Sequence, residues 1–121
     1  MADNREFVTT EIENGSINIS NEVIITIAAA AAIDVDGVHG LYLSHGKDIV
    51  ELLSKKNLSR GVRVRLAEGE LTVDIYVMVK LGTAVNEVGA AVQKAVSSAV
   101  EATTGITAAA VNVHICGVSL K

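Results

Sequence analysis

One stretch of this chain restricts its folding more than any other. Val23 to Ile33 is apolar throughout except at Thr26, and Glu22 and Asp34 close it. Ser20 stands ahead of it as a helix cap, because its hydroxyl accepts from an exposed backbone N–H. Glu22 falls in the first turn, where it opposes the positive end of the helix dipole. A helix over Asn21 to about Val35 puts Ile24, Ile27, Ala28 and Ala31 on one face and Ile25, Ala29 and Ala32 on another. A surface helix normally keeps a polar face. This one must be covered on more than one side, by its own domain or by another subunit. Ile25, Ala28, Ala29 and Ala32 are therefore candidate self-association residues. The stretch is far short of the ~20 residues that span a bilayer.

At 121 residues the chain has the size of one domain. Such a domain buries roughly two-thirds of the surface its unfolded chain exposes, so neither a metal nor a disulfide is required. Residues 1–13 are polar without periodicity and are expected to be a flexible tail, leaving 14–121 as a single domain. The N-terminal residues are acidic where a signal peptide is basic, and no apolar h-region follows. Cys116 is the only cysteine, which fits a reducing compartment. A cytoplasmic protein without direct membrane insertion is expected.

Period-2 and period-3.6 patterns define the rest. Ile17 and Ile19 alternate with Ser16 and Asn18, which predicts a short strand ahead of the apolar helix. Asp36-Gly37 ends that helix, and Val38 to Leu43 reads as a strand. Asp48 is placed to cap a short amphipathic helix, and Asn57 to Arg60 reads as a loop. Val62, Val64 and Leu66 alternate with Arg63 and Arg65; Leu71, Val73, Ile75, Val77 and Val79 alternate with Thr72, Asp74, Tyr76, Met78 and Lys80. Joined by a four-residue loop, Ala67 to Glu70, they predict a hairpin with Leu66 opposite Leu71, Val64 opposite Val73 and Val62 opposite Ile75. Arg63 then faces Asp74 and is expected to be neutralised by it. From Ala84 to Thr104 the stripe Val85, Val88, Val92, Val96 and Val100 predicts a second helix, ended by Gly105. Val111, Val113 and Ile115 form a last strand.

The order β-α-β-(α)-β-β-α-β predicts an α+β two-layer sandwich, a mixed sheet with two main helices on one face. Asn21-Glu22-Val23 and Asn86-Glu87-Val88 open the two helices alike, which suggests a β-α-β pseudo-repeat.

Sites of chemistry are sparse. Asp34-Val35-Asp36-Gly37 has the look of a calcium loop, but Ala32 and Leu43 would occupy its first and last ligand positions. Gly40 to Lys47 has the wrong spacing for a phosphate loop, and Asp48 stands where Ser or Thr is needed. Gly37-Val38-His39-Gly40 matches the short glycine loop that clamps nucleotide backbone, yet it lacks basic middle residues and reads better as a helix stop and turn. His114 and Cys116 are two apart on a strand and fall two ligands short of a zinc site. Cys116 has no neighbouring cation in sequence to activate it. Aromatics are confined to Phe7, Tyr42 and Tyr76, too few for a stacking platform, so nucleic acid is not an expected partner. No catalytic residue, cofactor or metal ligand is assigned.

Charge offers one positive signal. Net charge is −4, yet Lys47 to Arg65 holds six basic residues against two acidic ones, so +4, and the remainder carries −8. Lys55, Lys56, Arg60, Arg63 and Arg65 are either a solvated face or a patch for an anionic partner such as RNA, acidic lipid or an acidic protein.

Four segments, taken in order, resemble the alkaline shock protein family, the envelope stress response proteins of Gram-positive bacteria. They are Gly15-Ser16-Ile17-Asn18-Ile19-Ser20-Asn21-Glu22-Val23-Ile24, Asp36-Gly37-Val38-His39-Gly40-Leu41, Lys56-Asn57-Leu58-Ser59-Arg60-Gly61-Val62 and Val111-Asn112-Val113-His114-Ile115-Cys116-Gly117-Val118. The pattern is broken where Asn21 and Asn86 replace the proline common at the helix starts, and where Cys116 replaces a glutamine; residues 42–56 match least. The resemblance implies a cytoplasmic, non-enzymatic scaffold or adaptor in envelope homeostasis, a homo-oligomer in some members. It also implies, for some members, a small membrane-anchored partner, and for others a link to lipid metabolism. It supplies no catalytic residue.

Overall fold

The computed structural model describes residues 7–42 and 61–120. The short helix expected from Asp48 and the loop before Gly61 lie outside the described residues.

Leading the fold is a two-stranded antiparallel ribbon, β1 (Phe7–Ile12) and β2 (Gly15–Ser20). The expected tail therefore gives way to a strand from Phe7 onward. Its sequence alternates poorly, so pairing with β2, rather than its own pattern, defines it. Thr9 Oγ1 donates to Asn18 Oδ1 across the ribbon at 2.7 Å.

Helix α1 (Asn21–Ile33) follows without a loop. The Ser20 hydroxyl accepts from the Val23 N–H at 3.4 Å, as the sequence predicts. The helix ends two residues before Val35. Gly37, at φ +96°, then turns the chain into β3 (Val38–Leu41). A Cβ at Gly37 would lie 2.6 Å from Val88 Cγ2, so glycine is required there for close approach as well as for backbone conformation.

β4 (Val62–Ala67) and β5 (Glu70–Lys80) pair in the predicted register, Leu66 with Leu71, Val64 with Val73 and Val62 with Ile75. Ala67 also pairs with Glu70, which shortens the expected four-residue loop to Glu68-Gly69. Both turn residues have positive φ, +54° and +79°. That is the two-residue turn whose twist matches the strands it joins.

α2 (Val85–Thr104) ends on Gly105 at φ +79°, whose N–H donates to the Glu101 carbonyl at 2.8 Å. Val88, Val92, Val96 and Val100 form its buried stripe, while Val85 stays exposed one turn beyond the core. β6 (Ala110–Ser119) completes a β-α-β unit by pairing parallel to β5.

The main sheet is mixed and centred on β5. One edge of β5 is shared by β4, along its first half, and β3, along its second; β6 takes the other edge. Both helices lie on one face. Between them and the sheet sit Ile24, Ala28, Ala29 and Ala32 of α1, the valine stripe of α2, and Leu71, Val73, Ile75, Val77 and Val79 of β5. The two helical units are not equivalent. β5-α2-β6 is a crossover within the sheet, whereas β2, ahead of α1, pairs only with β1. The pseudo-repeat thus stops at the helix starts.

Candidate functional site

The buried position of α1 answers the question its sequence leaves open. Ala28, Ala29 and Ala32 are at most 1% exposed, packed inside their own domain, and Ile25 is half-buried against the same core. α1 is apolar on more than one face because one side meets the sheet and another meets α2, where Ala95 and Ala99 line a groove with Ile27, Ala30 and Ala31. Ala28, Ala29 and Ala32 are core and Ile25 packs against it, so the expectation that these four residues form a docking face is corrected.

Exposed apolar side chains remain at the two ends of α1, Val23 and Ile33, and others lie elsewhere. On the ribbon, Val8, Ile12, Ile17 and Ile19 share one face. Val8 is buried at the base, but Ile12 and Ile17 are 51% and 48% exposed. At the end of the sheet where β5 and β6 finish, Leu81, Val118 and Leu120 are also exposed. The Leu81 N–H donates to the Ser119 carbonyl at 2.9 Å, which holds these residues together. Sequence reading missed the ribbon surface; the β-branched run Val8-Thr9-Thr10 and the Ile17/Ile19 alternation were its only signals.

The face of the sheet turned away from the helices carries a polar cluster. Asp74 sits at its centre on β5 and is 6% exposed. Arg65 donates to Oδ2 at 3.0 Å, Asn112 Nδ2 donates to Oδ1 at 3.0 Å, and His114 Nε2 lies 3.4 Å from Oδ1. The Tyr76 and His114 rings stack, with centroids 4.5 Å apart and planes at 12°. Burial pushes the Asp74 carboxyl up. Hydrogen bonds from Asn112, His114 and Arg65, with the Arg65 charge, outweigh it and hold the group below the usual carboxylate range. A carboxylate held ionised, with both oxygens engaged, serves as a clamp across β4, β5 and β6.

The expected Arg63–Asp74 neutralisation is not what forms. The two residues are level in the ladder, but the ion pair runs diagonally to Arg65. Diagonal neighbours lie within reach of a long side chain, and strand twist brings one of them closer. Arg65 is thereby committed, while Arg63 is exposed. Lys55, Lys56 and Arg60 lie outside the described residues. His114 and Cys116 do not act as a pair: the His114 ring turns to Asp74, and Cys116 Sγ lies 3.7 Å from the His114 carbonyl. Among the described residues no three His, Cys, Asp or Glu side chains gather to hold a metal, and no helix is long and apolar enough to cross a membrane.

This architecture, two helices on one face of a mixed sheet, is an α+β sandwich that solved structures share. A variant of the MamM CTD superposes with a TM-score of 0.51 at 18% identity, covering 84% of this chain and 96% of that one. That likeness concerns the fold alone. The sequence is more specific. The model of the alkaline shock protein family, described as having a cell envelope-related function, matches residues 9–120. YloU of Bacillus subtilis (strain 168) is 41% identical over 106 residues, covering 86% of this chain and 88% of YloU. YqhY of the same organism is 35% identical over 104 residues, covering 86% and 77%. The chain belongs to the alkaline shock protein family, as the resemblance of its four segments implies.

Proposed function

We propose that this protein is a non-enzymatic scaffold or adaptor of the cell envelope that works from the cytoplasm by associating with itself and with protein partners. The cell envelope connection is that of its family. The observation that carries the rest is the apolar ribbon face. A two-stranded ribbon is marginally stable alone and needs a covering surface. Val8 anchors this one, but Ile12 and Ile17 reach past the core and stay half-exposed. Ile12 and Ile17 are diagonal neighbours on one ribbon face, and contiguous exposed apolar surface of this kind supports an interface with another chain. A small membrane-anchored protein is one such partner and would bring the domain to the membrane without insertion. Anion binding through the basic segment draws less support, because Arg65 is already paired with Asp74.

The test is association with and without the ribbon face. Light scattering at micromolar concentration should give a mass above one 12.6 kDa chain. Ile12→Glu with Ile17→Glu should weaken self-association or partner capture while leaving the circular dichroism spectrum unchanged. A double variant that assembles and captures partners like the wild type removes the basis of this reading.

A further inference from the structure

We propose that the free edge of β6 pairs antiparallel with the same strand of a second copy, joining two sheets into one. This rests on the self-association reading above and names a surface for it.

Among the described residues β6 pairs only with β5. The Tyr42 N–H donates to the Tyr76 carbonyl at 2.7 Å, so even-numbered residues of β5 bond toward β3 and odd-numbered ones toward β6. Val73 is level with Val111, Ile75 with Val113 and Val77 with Ile115. In a parallel ladder a bonding residue reaches the two residues flanking its opposite number. The N–H and C=O groups of Val111, Val113 and Ile115 therefore point to the free edge. The Val111 carbonyl is reached there by Gln93 Nε2 at 2.9 Å, and it retains a second lone pair.

Exposed edges are normally blunted by charge, proline, bulges or shortness. β6 has ten residues and contains no Lys, Arg, Asp, Glu or Pro. Its register shift comes only beyond Ile115, which leaves Ala110 to Ile115 regular. The opposite side of the sheet is different. β3 has four residues, and β4 carries Arg63 and Arg65. Two β4 strands paired about Val64 would set Arg63 against Arg65 of the other copy. Like charges placed directly opposite are destabilising. Among the described residues, the β6 edge carries no such charge.

The sequence of β6 is complementary to itself. Pairing about Val113 sets Val113 against Val113 and Val111 against Ile115 on the helix side, with each pair exchanging backbone hydrogen bonds. On the far face it sets Asn112 against His114, the closer, non-hydrogen-bonded position. No formal charge faces another of its sign. Gly89, Ala90 and Gln93 of α2 line a shallow trough along this stretch.

The test uses the full chain in three forms: wild type, Asn112→Lys with His114→Lys, and Asn112→Glu with His114→Glu. In the proposed register each variant opposes like charges twice. Each should self-associate at least tenfold more weakly than wild type, and an equal mixture should restore a one-to-one complex. Amide hydrogen exchange of the wild type gives an independent reading, since these changes also touch the Asp74 cluster. The amides of Val111, Val113 and Ile115 should gain protection as concentration rises through the association range. Association that leaves those amides exchanging freely, or that both charged variants retain in full, overturns the β6 pairing and leaves self-association standing. A wild type that stays monomeric overturns both.

Discussion

Asp74→Asn probes the clamp across the three strands. The carboxylate accepts from Asn112 and Arg65 at 3.0 Å, with His114 farther off at 3.4 Å. A net hydrogen bond contributes about 1 kcal/mol. The Arg65 side chain is 65% exposed, so its ion pair adds at most ~1 kcal/mol after screening. The long His114 contact adds little. Asp74→Asn keeps one acceptor oxygen but turns an amide toward donors, so the loss should be about 1–2 kcal/mol near pH 7. At about 4 °C per kcal/mol for a domain of this size, the melting temperature should fall by roughly 4–8 °C. Acid provides the sharper check. Because the folded carboxyl titrates below its unfolded value, its contribution is present above the unfolded pKa and is lost as pH falls through the folded one. The gap between wild type and Asp74→Asn, followed by urea denaturation with circular dichroism, should therefore be widest at neutral pH, begin to narrow near the unfolded value of about 4, and close only below the folded one. A gap that is absent at pH 7, or that widens on acidification, refutes the reasoning.

Further predictions concern the packing around the helices. Gly37→Ala combines positive φ with a Cβ 2.6 Å from Val88 Cγ2 and should cost about 2–4 kcal/mol in thermal denaturation. Gly105→Ala shares the positive φ but meets nothing within 4 Å, so its cost should stay near ~1 kcal/mol in the same assay. Asn21→Pro places proline at the first helical position, after an extended Ser20, and removes a buried Asn21 Oδ1 that has no hydrogen-bond partner. It should raise stability by about 0.5–2 kcal/mol, measured as a higher denaturation midpoint. Ala28→Glu buries a carboxylate in the core and should abolish the native circular dichroism signal, not merely shift the oligomeric state.

Much of this fold was legible in the chain because two periods barely overlap. The β4–β5 register follows from strict alternation, since a slip of one residue would turn every valine to the wrong face. The α2 stripe and its Gly105 stop are equally local. What escaped was what depends on partners distant in sequence. β1 exists by virtue of β2. Arg65 reaches Asp74 only through strand twist, and Asn112 and His114 lie 38 and 40 residues from the carboxylate they meet. The all-round apolarity of α1 marked a covered helix without saying what covers it. The covering is internal where α1 meets the sheet and α2, and the surfaces proposed for other chains lie on the ribbon and the β6 edge.

Association with copies of itself and with partners is the central property proposed for this domain. Sedimentation velocity of the full chain, across a concentration series at neutral pH and physiological salt, tests its self-association most directly. The expected result is a concentration-dependent shift from the 12.6 kDa monomer to a discrete larger species. A single monomeric boundary at every concentration would contradict it.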